Sequence, residues 1–354
     1  MRKTAFTNIS DWVPTDAFLY RLCELYATAS AHYDQPDESM WGTIDQMKRE
    51  IHHALAGRDI VELRKLVTRP SETDLYFGMD TLARYNMPHF NDAGGGGLAS
   101  IVEAQIVDTL TNLSEVSGAR RFWNFESYPN REPFDANAIL RALDDVLGIT
   151  LKFPNPFPKE FGLVSDRGVI GHRVPTAIYH ALKARELCLL IGGTSILEIG
   201  AGVGRTAFYA YSLGFRNYTI VDIPISLVGQ AVYLSAALGE DSIWLDGELT
   251  DKSGKICLVS PPALLALPDS FDVILNIDSF TEMPLDQSKA YFRFAADRCK
   301  ALYSMNHELN PHRTMDIASL AGIRPRPIRH ASAFRRGYVE ELYFFEITRH
   351  KDPM

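Results

Sequence analysis

The chain has 354 residues, 46% of them hydrophobic, enough for two packed globular units with a sizeable core. Its 44 acidic and 36 basic side chains give a formal charge of −8, which argues against nucleic acid or an anionic bilayer as partner and for a small molecule. Cys23, Cys188, Cys257 and Cys299 are scattered with no CxxC pair, and no run of about eighteen apolar residues occurs, so a soluble cytoplasmic protein with reduced thiols is expected.

The first half reads as helical. Phe18, Leu19, Leu22, Leu25 and Tyr26 recur at helical spacing after a cap at Thr15, predicting a helix over 16–33. Residues 41–67 continue as helix, broken near Gly57 and ended before Pro70, with His52 and His53 on a solvated face. Ser71 to Asp74 resembles a capping box for a helix carrying Leu75, Met79, Leu82 and Tyr85. Gly94 to Gly97 lack the preceding strand and the Gly-Lys-Ser/Thr of a phosphate loop, and read as a hinge or lid before a helix over 98–113. An aromatic, turn-rich stretch over 122–134 precedes a helix capped by Asp135 and stopped by Gly148. The proline-rich run 153–158 leads toward a boundary within 162–177. This predicts a mainly helical unit over 1–165, for substrate, lid or oligomerisation, and a cofactor-binding unit over 166–354.

After a helix over 176–190, strands alternate with helices. Strands are predicted at 196–199, 218–221, 256–259, 271–277 and 302–305, with helices at 204–213, 227–238 and 285–302. An antiparallel pair, 327–334 and 338–348, ends the chain. The fold class is therefore α/β, a Rossmann-like doubly wound and mostly parallel sheet.

The first of these strands runs into Gly200-x-Gly202-x-Gly204, directly after Glu198. A dinucleotide fingerprint needs a small residue where Arg205 stands. An acid just ahead of G-x-G-x-G resembles instead the S-adenosylmethionine site of class I methyltransferases, in which the carboxylate supports the methionine end. Asp222, ending the second strand, stands where either cofactor presents its ribose hydroxyls.

Asn276, Asp278, Ser279 and Glu282 follow the apolar fourth strand within seven residues. Such a cluster is costly to bury unless it faces a ligand or caps a helix, and a cap needs only one of the four. His307, just past the fifth strand, has the side chain of a general base at neutral pH, and His172 lies at the join of the two units.

Taken together, these residues resemble the sugar O-methyltransferase family. The resemblance rests on LEIGAGVGR at 197–205, IVDIP at 220–224, NIDSFTEM at 276–283, GVIGHRVPTAIY at 168–179 and GYVEELY at 337–343, and spans about half the chain. Val203 departs from the aromatic or small residue usual in the glycine turn. The resemblance implies the class I methyltransferase fold with S-adenosyl-L-methionine as cofactor, held by Glu198, Gly200, Ala201, Gly202, Gly204, Asp222, Ile223 and Asn276. It implies in-line methyl transfer to a hydroxyl of a sugar or sugar-bearing natural product, with Ser279 and His172 toward the acceptor.

His307 is the first choice for the base, with Asp278 or Glu282 orienting it or gripping neighbouring hydroxyls. A magnesium ion shared by Asp278 and Glu282 at i, i+4 spacing is the less favoured alternative, to be dropped if activity survives chelation. A non-sugar secondary metabolite as acceptor, a nicotinamide-dependent oxidoreductase and a non-catalytic cofactor-binding assembly protein remain as alternatives. A homodimer is left open.

Overall fold

The computed structural model describes residues 3–8, 11–31, 33, 40–91, 97–121, 134–266, 270–324 and 326–346. Most of the tetraglycine stretch and of the aromatic 122–134 segment lies outside them. In chain order the first half contains β1 (Thr4–Phe6), α1 (Asp16–Ser30), α2 (Met40–Gln46), α3 (Arg49–Ala56), α4 (Ile60–Thr68), α5 (Leu98–Val116) and α6 (Ala136–Leu147). A hairpin, β2 (Phe161–Ser165) and β3 (Gly168–Gly171), leads to α7 (Val174–Ile191).

The second half runs β4 (Ser195–Ile199), α8 (Arg205–Ser212), β5 (Asn217–Val221), α9 (Pro224–Leu238), β6 (Ile243–Leu245), β7 (Ile256–Val259), α10 (Pro261–Ala266) and β8 (Phe271–Ile277). It closes with α11 (Leu285–Arg298), β9 (Cys299–His307), α12 (Thr314–Leu320), β10 (Ile328–Ala331) and β11 (Tyr338–Phe344).

Eight strands form one sheet in the order β10-β11-β9-β8-β4-β5-β7-β6, parallel except for β11, which is antiparallel to both neighbours. This is the Rossmann-like doubly wound sheet the alternating pattern predicts. Along β4, Ile196 faces a core shared with α7, α8 and α9, while Leu197 and Ile199 face a second core with α10, α11 and α12. Two apolar faces explain why the central strands read as continuous apolar runs. The first core extends without a break into the N-terminal helices, where α1 packs on α9 and α5 on α7. Phe18, Leu19 and Leu22 of α1 are fully buried, each contributing roughly 1.5–3 kcal/mol. All four cysteines are free.

Thr15, Asp59 and Asp135 cap α1, α4 and α6 through their side chains, as Gly148 stops α6 at φ 71°. Other expectations fail for physical reasons. The capping-box helix over 71–85 does not form. Asp74 is drawn away from capping to accept from Tyr85 N at 3.0 Å and Arg84 Nη2 at 2.8 Å, Gly78 takes φ 83°, and the segment becomes turns and short 3-10 helices. The helix predicted to run to 302 stops at Arg298, because β9, seven of whose nine residues are buried, pairs between β8 and β11. His52 is not solvated: its Nδ1 meets Tyr26 Oη at 2.8 Å and its Nε2 lies 3.2 Å from Asp45. The sequence pattern also missed β6 and the small antiparallel sheet β1-β2-β3, whose strands are three to five residues long.

Candidate active site

Parallel register brings the site together. Ile199 is paired with Val221 on one side and Asn276 on the other, so Gly200, Asp222 and the 277–279 turn emerge side by side at the carboxyl edge of the sheet. At β4 the strand order changes direction, and ligands of open α/β sheets bind in the crevice at such a point. A cavity of about 400 Å³ opens there. Its walls include the glycine turn, Asp222 and Ile223, the turn after β8 and the start of α7, with Tyr33, Trp41 and Met79 closing it from the N-terminal half.

The turn needs its glycines. Gly200, Gly202 and Gly204 have φ of 72°, 56° and 90°, a region that L side chains rarely adopt. A Cβ on Gly200 would lie 2.4 Å from Ser279 Oγ, whereas one on Gly202 would meet nothing nearer than Met79 O at 3.9 Å. The first glycine thus lets two loops touch, and the second bares backbone to the cavity. Gly200→Ala is expected to lower the unfolding free energy by roughly 1–3 kcal/mol, read by chemical denaturation.

Asp222 is fixed at both oxygens. Oδ1 accepts from Ile223 N at 2.8 Å, and Oδ2 from Ala201 N at 3.1 Å and Gln230 Nε2 at 2.6 Å. Burial raises its carboxyl to about 6 against these bonds, leaving it ionised at neutral pH. Gln230 also donates to Gly202 O at 3.0 Å and so ties the carboxylate to the glycine turn, a role nothing in the sequence flagged. Glu198 is buried, accepts from Tyr218 Oη at 2.8 Å, and is raised by burial to about 7. Arg205, which also lines the cavity, forms an ion pair with the buried Asp80 side chain and lies over the Tyr233 ring at 5.2 Å. Against its burial, that guanidinium holds the Asp80 carboxyl well below the usual carboxylate range.

The polar cluster after β8 divides into two roles. Asn276 does not line the cavity. Its Nδ2 donates to Ile199 O at 3.0 Å and its Oδ1 accepts from Phe280 N at 3.2 Å and Asn306 Nδ2 at 2.9 Å, so it pins the turn from behind. Ser279 lines the cavity but gives its Oγ to Ile199 O at 2.9 Å. Asp278 and Glu282 face the cavity. Asp278 has φ 57°, pairs its Oδ2 with Arg335 Nη1 at 2.6 Å and leaves Oδ1 without a partner. Glu282 accepts from Trp41 Nε1 at 3.3 Å, and burial, then the like charge of Asp278, raises its carboxyl to about 7. The i, i+4 helical presentation behind the magnesium alternative does not arise, since both residues precede α11, and no cluster of three metal-ligating side chains occurs among the described residues.

His307 stands outside the cavity lining, its ring 4.9 Å from that of Tyr338 and over Gly337. His172 does line the cavity and is held neutral, pushed down to about 3 chiefly by burial and further by Arg173, Arg205 and Arg335. Arg173, His180 and Arg335 are among the lining residues that the sequence reading passed over. Arg173, the residue that precedes α7, and His180 within it are seven residues apart, a helical spacing legible in HRVPTAIYH; Arg335, in the β10-β11 connection, carried no signal.

No family model matches the sequence, and no curated protein is similar enough to match it. Solved structures do match about half of the chain. The CcbJ methyltransferase from Streptomyces caelestis is 16% identical, covering 48% of this chain and 90% of that one at a TM-score of 0.36. A magnesium protoporphyrin IX methyltransferase from Synechocystis PCC 6803, with bound S-adenosylmethionine, is 15% identical over 48% and 76% at 0.34. An S-adenosylmethionine-dependent methyltransferase from Clostridium acetobutylicum ATCC 824 is 11% identical over 48% and 91% at 0.36. At these scores activity and cofactor rest on this chain's own topology and residues.

Proposed function

We propose that the protein is an S-adenosylmethionine-dependent O-methyltransferase acting on a hydroxyl of a sugar or sugar-bearing natural product. One observation carries the reading: a single cavity sets a glycine turn and a fixed carboxylate, Asp222, against a near-neutral carboxylate, Glu282. The bared backbone at Gly202 and the partnerless Oγ of Ser226 on the same wall fit an adenosyl cofactor. Asp222 would accept its ribose hydroxyls, beside Ile223, and Gly200 to Gly204 above Glu198 would flank its methionine end. When bound, the cofactor supplies an electrophilic methyl group.

The chain's own residues do the rest. A hydroxyl is a weak nucleophile until its proton is removed, and Glu282, with a carboxyl raised to about 7, is placed to take it. Asp278, its charge held by Arg335, orients the acceptor through its free Oδ1. Asp278, Glu282, His172, Arg173 and His180 give this end of the cavity the hydrogen-bonding density a polyol requires. Trp41 and Tyr33 bring the helical half to the same wall, so we assign substrate enclosure to residues 1–165. His307 has no part in this scheme.

Calorimetric titration with S-adenosylhomocysteine tests the reading. The protein is expected to bind it, and Asp222→Ala to weaken binding roughly 10- to 100-fold through lost charge-assisted hydrogen bonds. A wild-type protein that ignores the ligand sinks the proposal.

A further inference from the structure

Arg173 stands at the start of α7, in the cavity wall, with its Nε buried and without an acceptor. Among the described residues no carboxylate forms an ion pair with it, although Asp278 keeps one oxygen free. Asp278 pairs with Arg335, Asp80 with Arg205, Glu198 with Tyr218 and Asp222 with Gln230, while Glu282, raised to about 7, carries only part of a charge at neutral pH. Burial most strongly, then the like charge of Arg335 and Arg205, pushes the Arg173 guanidinium down from its ordinary range, with Asp278 and Asp80 offsetting only part of the shift. A guanidinium whose Nε is buried without an acceptor is costly for a fold to retain, and a structural ion pair would have removed that cost by placing a carboxylate beside it. The positive end of the 18-residue helix α7 adds to the same field.

We propose that Arg173 is the carboxylate-binding residue of this cavity, completing its ion pair only when a ligand is bound. A guanidinium matches a carboxylate with two parallel N–H donors, a geometry that lysine cannot reproduce. The inference deepens the methyl-transfer reading and rests on it. Two sources supply the same chemistry: the carboxylate at the methionine end of the donor, or an acid group on the acceptor, as in a uronic acid.

Binding measurements separate them. S-adenosylhomocysteine carries the carboxylate, and 5′-methylthioadenosine shares the adenosyl group but lacks it. With the donor as source, Arg173→Met weakens S-adenosylhomocysteine roughly 10- to 100-fold and leaves methylthioadenosine within about twofold. With the acceptor as source, both nucleosides bind the variant as they bind the wild type. D-glucuronate, but not D-glucose, then raises the melting temperature of the wild-type complex with S-adenosylhomocysteine, and the variant does not respond. Either pattern supports the assignment. Arg173→Met equal to wild type for both nucleosides and for glucuronate overturns it, while the methyl-transfer reading survives on the nucleoside binding. A wild type that binds neither nucleoside overturns both. Retained methylthioadenosine binding reports a folded site, and Arg173→Gln repeats the comparison if the methionine variant does not fold.

Discussion

Replacing Glu282 by Gln is expected to lower kcat about 100- to 10,000-fold while leaving S-adenosylhomocysteine affinity within about twofold, as loss of a general base does. The pH profile carries more information than the rate. Because burial and Asp278 raise the Glu282 carboxyl to about 7, the base is half-ionised near neutrality, and kcat/KM of the wild type should climb with pH through about 7 and then level. In Glu282→Gln that rising limb should vanish. Stability runs the other way. The folded carboxyl lies above its unfolded value of 4.5, so its contribution is intact below that value and is lost as pH rises through about 7. Glu282→Gln should therefore match the wild type in stability near pH 4 and exceed it near pH 8. A rising limb that persists in the variant would assign the base elsewhere, with His307 the first residue to re-examine.

Arg205→Met is the second large effect, and it concerns the scaffold. The Arg205 and Asp80 side chains are 12% and 5% exposed, so removing the guanidinium strands a buried carboxylate, and a loss of about 3–5 kcal/mol is expected in urea denaturation. Asp80→Asn added to it should recover most of that loss, since the remaining acceptor still serves Leu82 N at 3.0 Å without a buried charge. If the double variant is as unstable as the single one, lost packing of the guanidinium over Tyr233, and not the stranded charge, accounts for the effect. The pair matters because it fastens the 79–80 turn, which closes the cavity at Met79, to the first residue of α8.

The glycine turn and its sheet were legible because strand periodicity, three glycines and two carboxylates at the ends of successive strands are local patterns. Asp278 and Glu282 were legible for a different reason: four polar residues after an apolar strand exceed what capping needs. Which of those four reach the cavity was not legible. Asn276 lies behind the turn while Ser279 reaches the lining, yet both spend hydrogen bonds on Ile199 O, and Asn276 on Asn306 as well, partners 30 to 80 residues distant. The same limit hid Gln230 and Arg335 and misled at 71–85, where Asp74 and Asp80 satisfy partners beyond their own turn. His307 carried a persuasive local signal, a histidine at a strand end, but the nine-residue β9 carries it past the cavity to Tyr338. Short strands such as β1 and β6 hold too few residues for any period to show.

The central claim is that one cavity binds the methyl donor and presents an acceptor hydroxyl to Glu282. A crystal structure of the protein with S-adenosylhomocysteine tests it most directly. The account predicts ribose hydroxyls on Asp222, the methionine end along Gly200 to Gly204, and the sulfur opening toward Asp278 and Glu282. An adenosyl group bound away from Asp222, or a sulfur facing His307 and screened from Glu282, would contradict it.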